Sequence, residues 1–380
     1  MTAPLALTGA AVFDGDRLLA RHAVVLGDGV VTEVVPEDAL PPAMDRLPLP
    51  GGTLSPGFVD LQVNGGGGVM FNEAPSVGTL RTIAEAHARL GATSILPTLI
   101  TDRADVTAAA IAAAIDAVAR GVPGIAGLHL EGPHLSVARK GAHDPALIRP
   151  MDDADLARLV DAAAHLHALM VTVAPESVNP QQVAALAGAG IRVSLGHTDC
   201  GFDDAVAAAH AGAVCVTHLF NAMSQLGNRE PGVVGAALAT PGLSAGLIAD
   251  LIHVHPEVIR AALAAKRGPG RVFLVSDAMA TAGSDIAHFT LNGRRIERRD
   301  GRLTLADGTL AGADLDLATA VRNIAGLGVA PETALAMATT IPADLIGREA
   351  RLAPGAPADV LHLNDDGALT AVWQGGRRIV

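Results

Sequence analysis

Four side chains that can bind a metal or exchange a proton each follow an apolar, strand-like segment of this 380-residue sequence. They are Glu131 in Gly-Leu-His-Leu-Glu-Gly-Pro-His (127–134), His197 in Gly-His-Thr, His218 in Thr-His-Leu-Phe-Asn, and Asp277 in Ser-Asp-Ala. Carboxylate and imidazole ligands suit a borderline divalent cation such as zinc, and three protein ligands leave one position for water. A metal-dependent hydrolytic site at the ends of several strands is therefore one hypothesis.

Each of these residues also has a simpler interpretation. A glutamate beside a Gly-Pro turn is usually a solvated loop residue, a single histidine is commonly a hydrogen-bonded core residue, and an aspartate after a strand often caps the next helix. The four together favour a site because all of them fall at predicted strand ends. His165, His167 and His210, in contrast, lie on helical segments, where we expect packing or surface positions.

Between the two ends of the chain, short apolar runs alternate with Ala-rich amphipathic segments, a pattern typical of repeated strand–helix units. We predict strands near residues 57–63, 92–96, 125–130, 170–174, 191–195, 213–217, 244–249 and 271–275. Helices are predicted near residues 76–90, 102–120, 152–168, 180–189, 202–211, 256–266, 313–325 and 331–339. Eight such strands predict an α/β fold, a (β/α)8 TIM-type barrel, whose active site lies at the C-terminal ends of the strands.

The two ends of the chain carry a different pattern of short strands separated by Asp-Gly turns. They predict one small β-sandwich domain built from both termini, residues 1–53 plus 353–380. Residues 54–352 would then form the barrel. Asn-Gly and Asp-Gly pairs within residues 286–312 predict a β-hairpin insertion after the eighth strand.

Composition narrows the possible partners and the compartment. The formal net charge of −12 disfavours nucleic acid, because there is no basic field to displace counterions from a phosphate backbone. We find no uninterrupted apolar span long enough to cross a membrane, and the N-terminus lacks the basic start of a signal peptide. The two cysteines are too few for a disulfide framework, so a cytoplasmic location is expected.

In combination, these motifs resemble the N-acetylglucosamine-6-phosphate deacetylase family of the amidohydrolase superfamily. The similarity includes Pro-Gly-Phe-Val-Asp at 56–60 and Asn-Ala-Met at 221–223, and it covers essentially the whole chain. It implies metal-dependent hydrolysis of the acetamide of N-acetyl-D-glucosamine 6-phosphate to D-glucosamine 6-phosphate and acetate. The expected setting is amino-sugar catabolism or cell-wall recycling.

The resemblance also implies roles for individual residues. The metal ligands are Glu131, His197 and His218, and the catalytic carboxylate is Asp277, which would take a proton from water and return it to the leaving amine. The expected substrate contacts comprise Ala142 and His143 at the sugar and acetamido group, Asn221, Ala222, Arg229 and His253 at the phosphate, Asp250 in the same motif as His253, and Leu310, Ala311 and Gly312 along one wall. His143, together with the metal, would polarise the acetyl carbonyl. Arg229 and His253 would reach the neighbouring site in a homodimer.

One departure from the wider superfamily bears on the number of metal ions. Many amidohydrolases place His-x-His at the end of the first strand, whereas this chain has Gln62 and Asn64 there. Amides are poor ligands for such cations, so we expect one divalent ion per subunit, Zn2+ first and Fe2+, Mn2+ or Co2+ as alternatives. Gln62, Asn64 and His129 would support the ligands, while His253-Val254-His255 is an alternative second metal site. No role is assigned to His134.

Two other functional hypotheses remain open. The same scaffold could act on N-acetylgalactosamine 6-phosphate or on another N-acyl substrate such as an N-acyl amino acid. A catalytically silent sugar-phosphate-binding protein is disfavoured, because such a protein would be expected to lack Asp277 or one of the metal ligands.

Overall fold

The computed structural model describes residues 4–380 and begins with two layers of short strands. Seven strands precede the barrel: β1 (Leu5–Thr8), β2 (Ala11–Phe13), β3 (Leu18–Leu19), β4 (His22–Gly27), β5 (Val30–Pro36), β6 (Asp45–Pro48) and β7 (Thr53–Pro56). The order β5-β4-β1-β6 makes one four-stranded sheet. The remaining strands, β2, β3 and β7, belong to a second sheet that the C-terminal end of the chain completes.

Eight parallel strands form the barrel, and helices lie between most of them. The barrel strands, their helices and one short hairpin follow one another along the chain. The first strand is β8 (Phe58–Val63), and the hairpin β9 (Gly65–Gly66) and β10 (Val69–Met70) comes next. Then follow α1 (Val77–Arg89), β11 (Ala92–Ile100), α2 (Ala104–Ala119), β12 (Leu128–Glu131), α3 (Asp153–Ala163), β13 (Leu169–Val173), α4 (Pro180–Gly188), β14 (Arg192–Leu195), α5 (Phe202–His210), β15 (Cys215–Val216), α6 (Gly232–Ala239), β16 (Ser244–Leu247), α7 (Pro256–Ala265) and β17 (Val272–Leu274). The sheet order β17-β16-β15-β14-β13-β12-β11-β8 confirms the predicted barrel. All six residues of β8 are buried, as expected for a parallel strand covered on both faces.

Four antiparallel strands follow β17 and rise over the C-terminal rim of the barrel. They are β18 (His288–Leu291), β19 (Arg294–Arg299), β20 (Arg302–Thr304) and β21 (Leu310–Ala313), paired in that order. The chain then returns through α8 (Leu317–Gly326), α9 (Pro331–Ala336) and α10 (Thr340–Leu345) before β22 (Val360–Leu363), β23 (Leu369–Gln374) and β24 (Arg377–Arg378).

The last three strands complete the second sheet of the terminal sandwich. Its order is β24-β23-β22-β7-β2-β3, with β22 antiparallel to β7. Leu7 and Val24 from the first sheet share one buried cluster with Val12, Leu54 and Trp373 from the second. The two ends of the chain are therefore packed face to face. The division into residues 1–53 plus 353–380 and 54–352 is our proposal for where one domain becomes the other.

Local signals position several helices. Asp152 begins α3 with a reciprocal capping box that includes Asp155, and Asn179 begins α4 in the same way with Gln182. The prediction missed α6, because its sequence Gly-Val-Val-Gly-Ala-Ala-Leu-Ala is apolar on nearly every side and has no amphipathic period. It also missed α10, and β15 is shorter than predicted.

The junction between β8 and β17, which we call the seam, closes the barrel with few backbone bonds. One parallel bridge joins Val63 to Ala278, and the Asp60 carboxylate accepts from the Ser276 backbone N–H at 3.2 and 3.3 Å. Asp60 also accepts from the Gln62 N–H at 3.2 Å. Burial raises the pKa of Asp60 to about 7 against the opposing effect of these hydrogen bonds. The seam thus uses a buried carboxyl group as a substitute for part of a strand ladder.

Within residues 4–380 no helix is both long and apolar enough to cross a membrane.

The seam generates a pH-dependent stability prediction. Asp60 holds its proton more tightly in the folded than in the unfolded chain, so its contribution to the unfolding free energy falls as pH rises from about 4 through about 7. The Asp60→Asn variant cannot ionise at this position. The difference between its unfolding free energy and that of the wild type should therefore shift in favour of the variant from pH 5 to pH 8. Urea unfolding at both pH values measures this, with the exposed Asp38→Asn as the matched control. Parallel pH curves for wild type and Asp60→Asn would contradict the assignment.

Candidate active site and metal centre

The C-terminal ends of four barrel strands bring the predicted reactive side chains together. Glu131 is the last residue of β12, and His197 and His218 follow β14 and β15 after one intervening residue each. Asp277 comes shortly after β17. All four are buried, with residue exposures of 2%, 5%, 4% and 8% in that order. Parallel strands end at one edge of the sheet, which is why residues far apart in sequence meet here.

Three donor atoms converge on one point. Glu131 Oε1 lies 3.2 Å from His197 Nε2 and 3.1 Å from His218 Nε2, and the two imidazole nitrogens lie 3.1 Å apart. A tetrahedral ion with metal–nitrogen distances of about 2.0–2.1 Å separates its ligands by roughly 3.3 Å. The donor set and its spacing therefore fit a divalent cation.

His143 lies next to this cluster and offers an alternative third ligand. Ligand atoms of Glu131, His143 and His197 all lie within 4.8 Å of one another. The His143 Nε2 to Glu131 Oε2 distance is 3.9 Å, longer than any separation in the set that contains His218. Glu131, His197 and His218 therefore form the more compact of the two candidate donor sets, and His143 lies at its edge.

A hydrogen bond to the main chain fixes the orientation of the His197 ring. His197 Nδ1 is 2.9 Å from the Arg139 carbonyl oxygen, which can only accept, so Nδ1 carries a hydrogen and Nε2 faces Glu131 and His218. His218 Nδ1 is one of four buried side-chain atoms in the described part of the chain that have no hydrogen-bond partner. Burial opposes ionisation of Glu131, but the bonds and charges of His197 and His218 outweigh it and hold the Glu131 pKa well below its ordinary value.

Backbone strain also concentrates at these positions. His197, His218 and Asp277 have φ values of 48°, 30° and 50°, in the left-handed region that residues with a Cβ rarely adopt. Such conformations cost on the order of 1–3 kcal/mol each and persist where the surroundings enforce them. Three of the four strand-end residues are thus held in conformations that aim their side chains into the barrel mouth.

Two amides connect the carboxylates. Gln62 Nε2 donates to Glu131 Oε1 and to Asp277 Oδ1, both at 3.1 Å, and Asn64 Nδ2 donates to the same Asp277 oxygen at 2.8 Å. Because both amides act as donors, their nitrogens point towards the acids. Burial first, and then the charge of Glu131, raises the Asp277 pKa to about 6. A carboxyl group with this pKa can exchange a proton near neutral pH.

His143 is held as a neutral hydrogen-bond donor. Its Nδ1 accepts from the Thr101 backbone N–H at 3.3 Å and lies 2.7 Å from Thr101 Oγ1. The hydrogen therefore resides on Nε2, which faces the cavity. Burial, followed by the charge of His197, keeps the His143 pKa well below its ordinary value.

His129 and His134 both have structural surroundings. His129 Nδ1 donates to the Leu61 carbonyl at 3.0 Å and Nε2 lies 2.7 Å from Thr172 Oγ1, so both ring nitrogens are occupied beneath the ligands. His134 Nδ1 donates to the Arg149 carbonyl at 3.1 Å and packs near the start of α3. It therefore ties the start of the loop after β12 to the segment that leads into α3, and its Nε2 lies 3.8 Å from Asp155 Oδ2 in that helix.

A cavity of about 400 Å³ opens above the cluster. The predicted residues in its wall are Glu131, Ala142, His143, His197, His218, Asn221, Ala222, His253, Asp277, Leu310 and Gly312. Sequence reasoning missed Ile100, Ala138, Arg139, Gly141, Ile248, Met279 and Thr309. Ile100 ends β11 and Ile248 directly follows β16, so inspecting every strand end, rather than the polar ones alone, would have found these two.

The remaining predicted contacts lie outside the wall or differ from expectation. His253 lines the cavity of its own subunit, whereas we expected it to reach a neighbouring one. Asp250 stands behind it and bonds His253 Nδ1 at 2.5 Å. Arg229 is not part of the wall, and Ala311 is fully buried among apolar residues of the insertion. His255 is exposed and caps α7 by accepting from the Glu257 N–H, so it forms no His-x-His site with His253.

Comparison with known families matches the whole described architecture. Residues 53–379 match the amidohydrolase family and residues 5–54 match the NagA composite domain. The chain is 41% identical to an N-acetylgalactosamine-6-phosphate deacetylase of Shewanella sp. (strain ANA-3), over 97% of this chain and 94% of that protein. It is 33% identical to an N-acetylglucosamine-6-phosphate deacetylase of Haemophilus influenzae, over 91% of each.

Solved structures share the fold as well. The N-acetylglucosamine-6-phosphate deacetylase of Pasteurella multocida superposes with a TM-score of 0.94 at 33% identity and covers 99% of both chains. A mutant of the Mycobacterium smegmatis N-acetyl-D-glucosamine-6-phosphate deacetylase, in complex with N-acetyl-D-glucosamine 6-phosphate, superposes with a TM-score of 0.92 at 33% identity and covers all of both chains.

The geometry of the donor cluster predicts how a ligand substitution affects metal binding. Glu131→Gln removes the negative charge that both imidazoles face. Affinity for Zn2+ or Mn2+ should therefore fall by more than the roughly 10–100-fold loss that follows replacement of a residue that only hydrogen-bonds a metal ligand. Isothermal titration, with the melting temperature followed on adding the cation, measures the loss. The exposed Glu85→Gln should retain wild-type affinity. Equal affinities for the two variants would remove Glu131 from the metal centre.

Proposed function

The chain belongs to the amidohydrolase family, and we propose that it hydrolyses the acetamide of N-acetyl-D-glucosamine 6-phosphate to D-glucosamine 6-phosphate and acetate. The observation that carries the proposal is the convergence of Glu131, His197, His218 and Asp277 in one cavity. Four strand ends supply these residues, and relatives with this reaction in their names match the chain over nearly its full length. The expected role is in amino-sugar catabolism.

In this proposal one divalent cation per subunit, Zn2+ first, is held by Glu131, His197 and His218. When bound, such an ion supplies Lewis acidity, which lowers the pKa of water at the site to roughly 7. Gln62 and Asn64 use their amide nitrogens to donate to the carboxylates of Glu131 and Asp277. This role supports a site for one ion, because an amide nitrogen that donates a hydrogen bond is not a metal ligand.

The chain's own residues then handle the proton and the developing negative charge. Asp277 accepts a proton from the attacking water and returns it to the departing amine nitrogen. His143 donates from Nε2 to the acetyl oxygen, because its Nδ1 is fixed as an acceptor by Thr101. Gln62 and Asn64 keep Asp277 in place through both proton transfers.

The part of the cavity lined by Asn221, Ala222 and His253 is assigned to the phosphate. Asp250 orients the His253 imidazole. Leu310 and Gly312 close one wall, and a cavity of about 400 Å³ suits one small phosphorylated sugar.

We further propose a cytoplasmic homodimer in which Arg229 contributes to the phosphate site of the neighbouring subunit. Arg229 and Leu226, three positions before it, are exposed in the isolated chain, with Leu226 at 59%. A monomer in sedimentation velocity at assay concentrations would contradict this part of the proposal.

N-acetyl-D-galactosamine 6-phosphate is the second candidate substrate. The observation in its favour is the 41% identity to the Shewanella protein, which is named for that epimer. The two sugars differ only at one hydroxyl, so the same metal centre and the same Asp277 would serve either reaction.

Acetate release tests the function directly. Purified protein should liberate acetate from at least one of the two N-acetylhexosamine 6-phosphates, and a chelator should abolish the activity until Zn2+ or Mn2+ is restored. Comparing kcat/KM for the two sugars identifies the preferred epimer. Absence of acetate from both substrates in metal-loaded protein would refute the proposal.

The pKa of Asp277 predicts the acidic limb of the pH profile of kcat/KM. The carboxylate must be ionised to accept a proton, so kcat/KM should fall about tenfold per pH unit below about 6. Asp277→Asn should lower kcat by about 10²–10⁴-fold while metal content is retained. A variant with wild-type turnover, or with the same acidic limb, would exclude Asp277 as the base.

A further inference from the structure

The four-stranded insertion shares a hydrophobic cluster with the barrel mouth. Phe289, Leu291, Ile296 and Leu303 from β18–β20 pack in one buried group with Ile100 and Met279, which line the cavity. Ala142 packs against the same cluster. The insertion is thus continuous with the wall that carries His143.

Arg294, the first residue of β19, makes the polar connection between these parts. Its Nη2 donates to the main-chain carbonyl of Ala142, which directly precedes His143. The side chain is half-buried, and its hydrogen bond goes to this carbonyl. A partly desolvated guanidinium is therefore directed at a backbone carbonyl.

The segment that Arg294 contacts is closely fitted to the reactive side chains. The His143 and His197 rings lie 4.3 Å apart in an edge-to-face arrangement. A Cβ added to Gly141, which has a φ of +53°, would lie 3.2 Å from His197 Cε1. A small shift of residues 140–143 would therefore move the His143 Nε2–H relative to the metal ligands.

We propose that Arg294 is a positioning residue that sets the place of His143 by fixing the Ala142 carbonyl from the insertion. This inference rests on the proposed deacetylase function for its kinetic consequence, but its structural consequence stands independently. Arg294 touches no reacting atom in this scheme. It acts through the backbone of residues 142–143.

Arg295 provides a matched control on the same strand. It carries the same charge, is exposed, and pairs only with Glu297 among the described residues. Alternation along β19 directs neighbouring side chains to opposite faces. Arg295→Ala should therefore leave activity unchanged, whereas Arg294→Ala should alter the site.

The kinetic test compares Arg294→Ala, Arg294→Lys and Arg295→Ala. We expect Arg294→Ala to lower kcat by about 10–100-fold, because a shift of the order of 1 Å in a catalytic group has that effect. Arg294→Lys should retain part of the activity. Guanidinium ion should partly restore Arg294→Ala, and inhibition by D-glucosamine 6-phosphate, which has no acetyl group, should stay within about threefold of wild type. Equal kcat for the two alanine variants would overturn the proposal.

Amide hydrogen exchange tests the structural step without using turnover. Exchange of residues 140–143 should accelerate in Arg294→Ala and remain at the wild-type rate in Arg295→Ala, with melting temperatures recorded to confirm folding. Unchanged exchange in Arg294→Ala would overturn the positioning role. If the wild-type protein released no acetate but exchange still accelerated in Arg294→Ala, the proposed function would be refuted and the positioning role would stand.

Discussion

The convergence of one carboxylate and two imidazoles within 3.1–3.2 Å of each other is the constraint on which the rest of the site depends. Buried donors this close are stable when a positive charge lies between them, because burial of an unpaired carboxylate is costly. The left-handed backbone at His197 and His218 and the Arg139 carbonyl behind His197 all serve this geometry. The barrel supplies the remaining requirement, since eight parallel strands end at one rim.

Two carboxylates in the same cluster acquire different properties from their surroundings. Glu131 faces two imidazoles, and its pKa is held well below the ordinary range despite burial. Burial and the charge of Glu131 raise the pKa of Asp277 to about 6. Gln62 bonds both groups, so its amide links the carboxylate that stays ionised to the one that exchanges a proton. The different pKa values of the two carboxyl groups thus follow from their positions in the cluster.

Much of this arrangement could be predicted from the sequence because it depends on strand order and polarity. Glu131, His197, His218 and Asp277 stand where apolar runs stop, and the barrel topology brings those points together. Contacts made by loops had no such signal. The fixing of His143 by Thr101 and the presence of His253 in its own subunit's cavity depend on loop conformations that no periodicity encodes. The apolar helix α6 was missed for a related reason, since burial on all sides removes the amphipathic pattern.

The pairing of β7 with β22 has a consequence for the order of folding during synthesis. β7 and β2 emerge from the ribosome before the barrel, but their sheet requires β22–β24, which follow the entire barrel in sequence. Trp373, buried against Val12 and Leu54, fills the sandwich core only after the last of these strands is released. Until then the edge of β7 and its apolar face stay uncovered, a state that favours strand addition from other chains. The second sheet of the sandwich can therefore be completed only after the whole barrel has been synthesised.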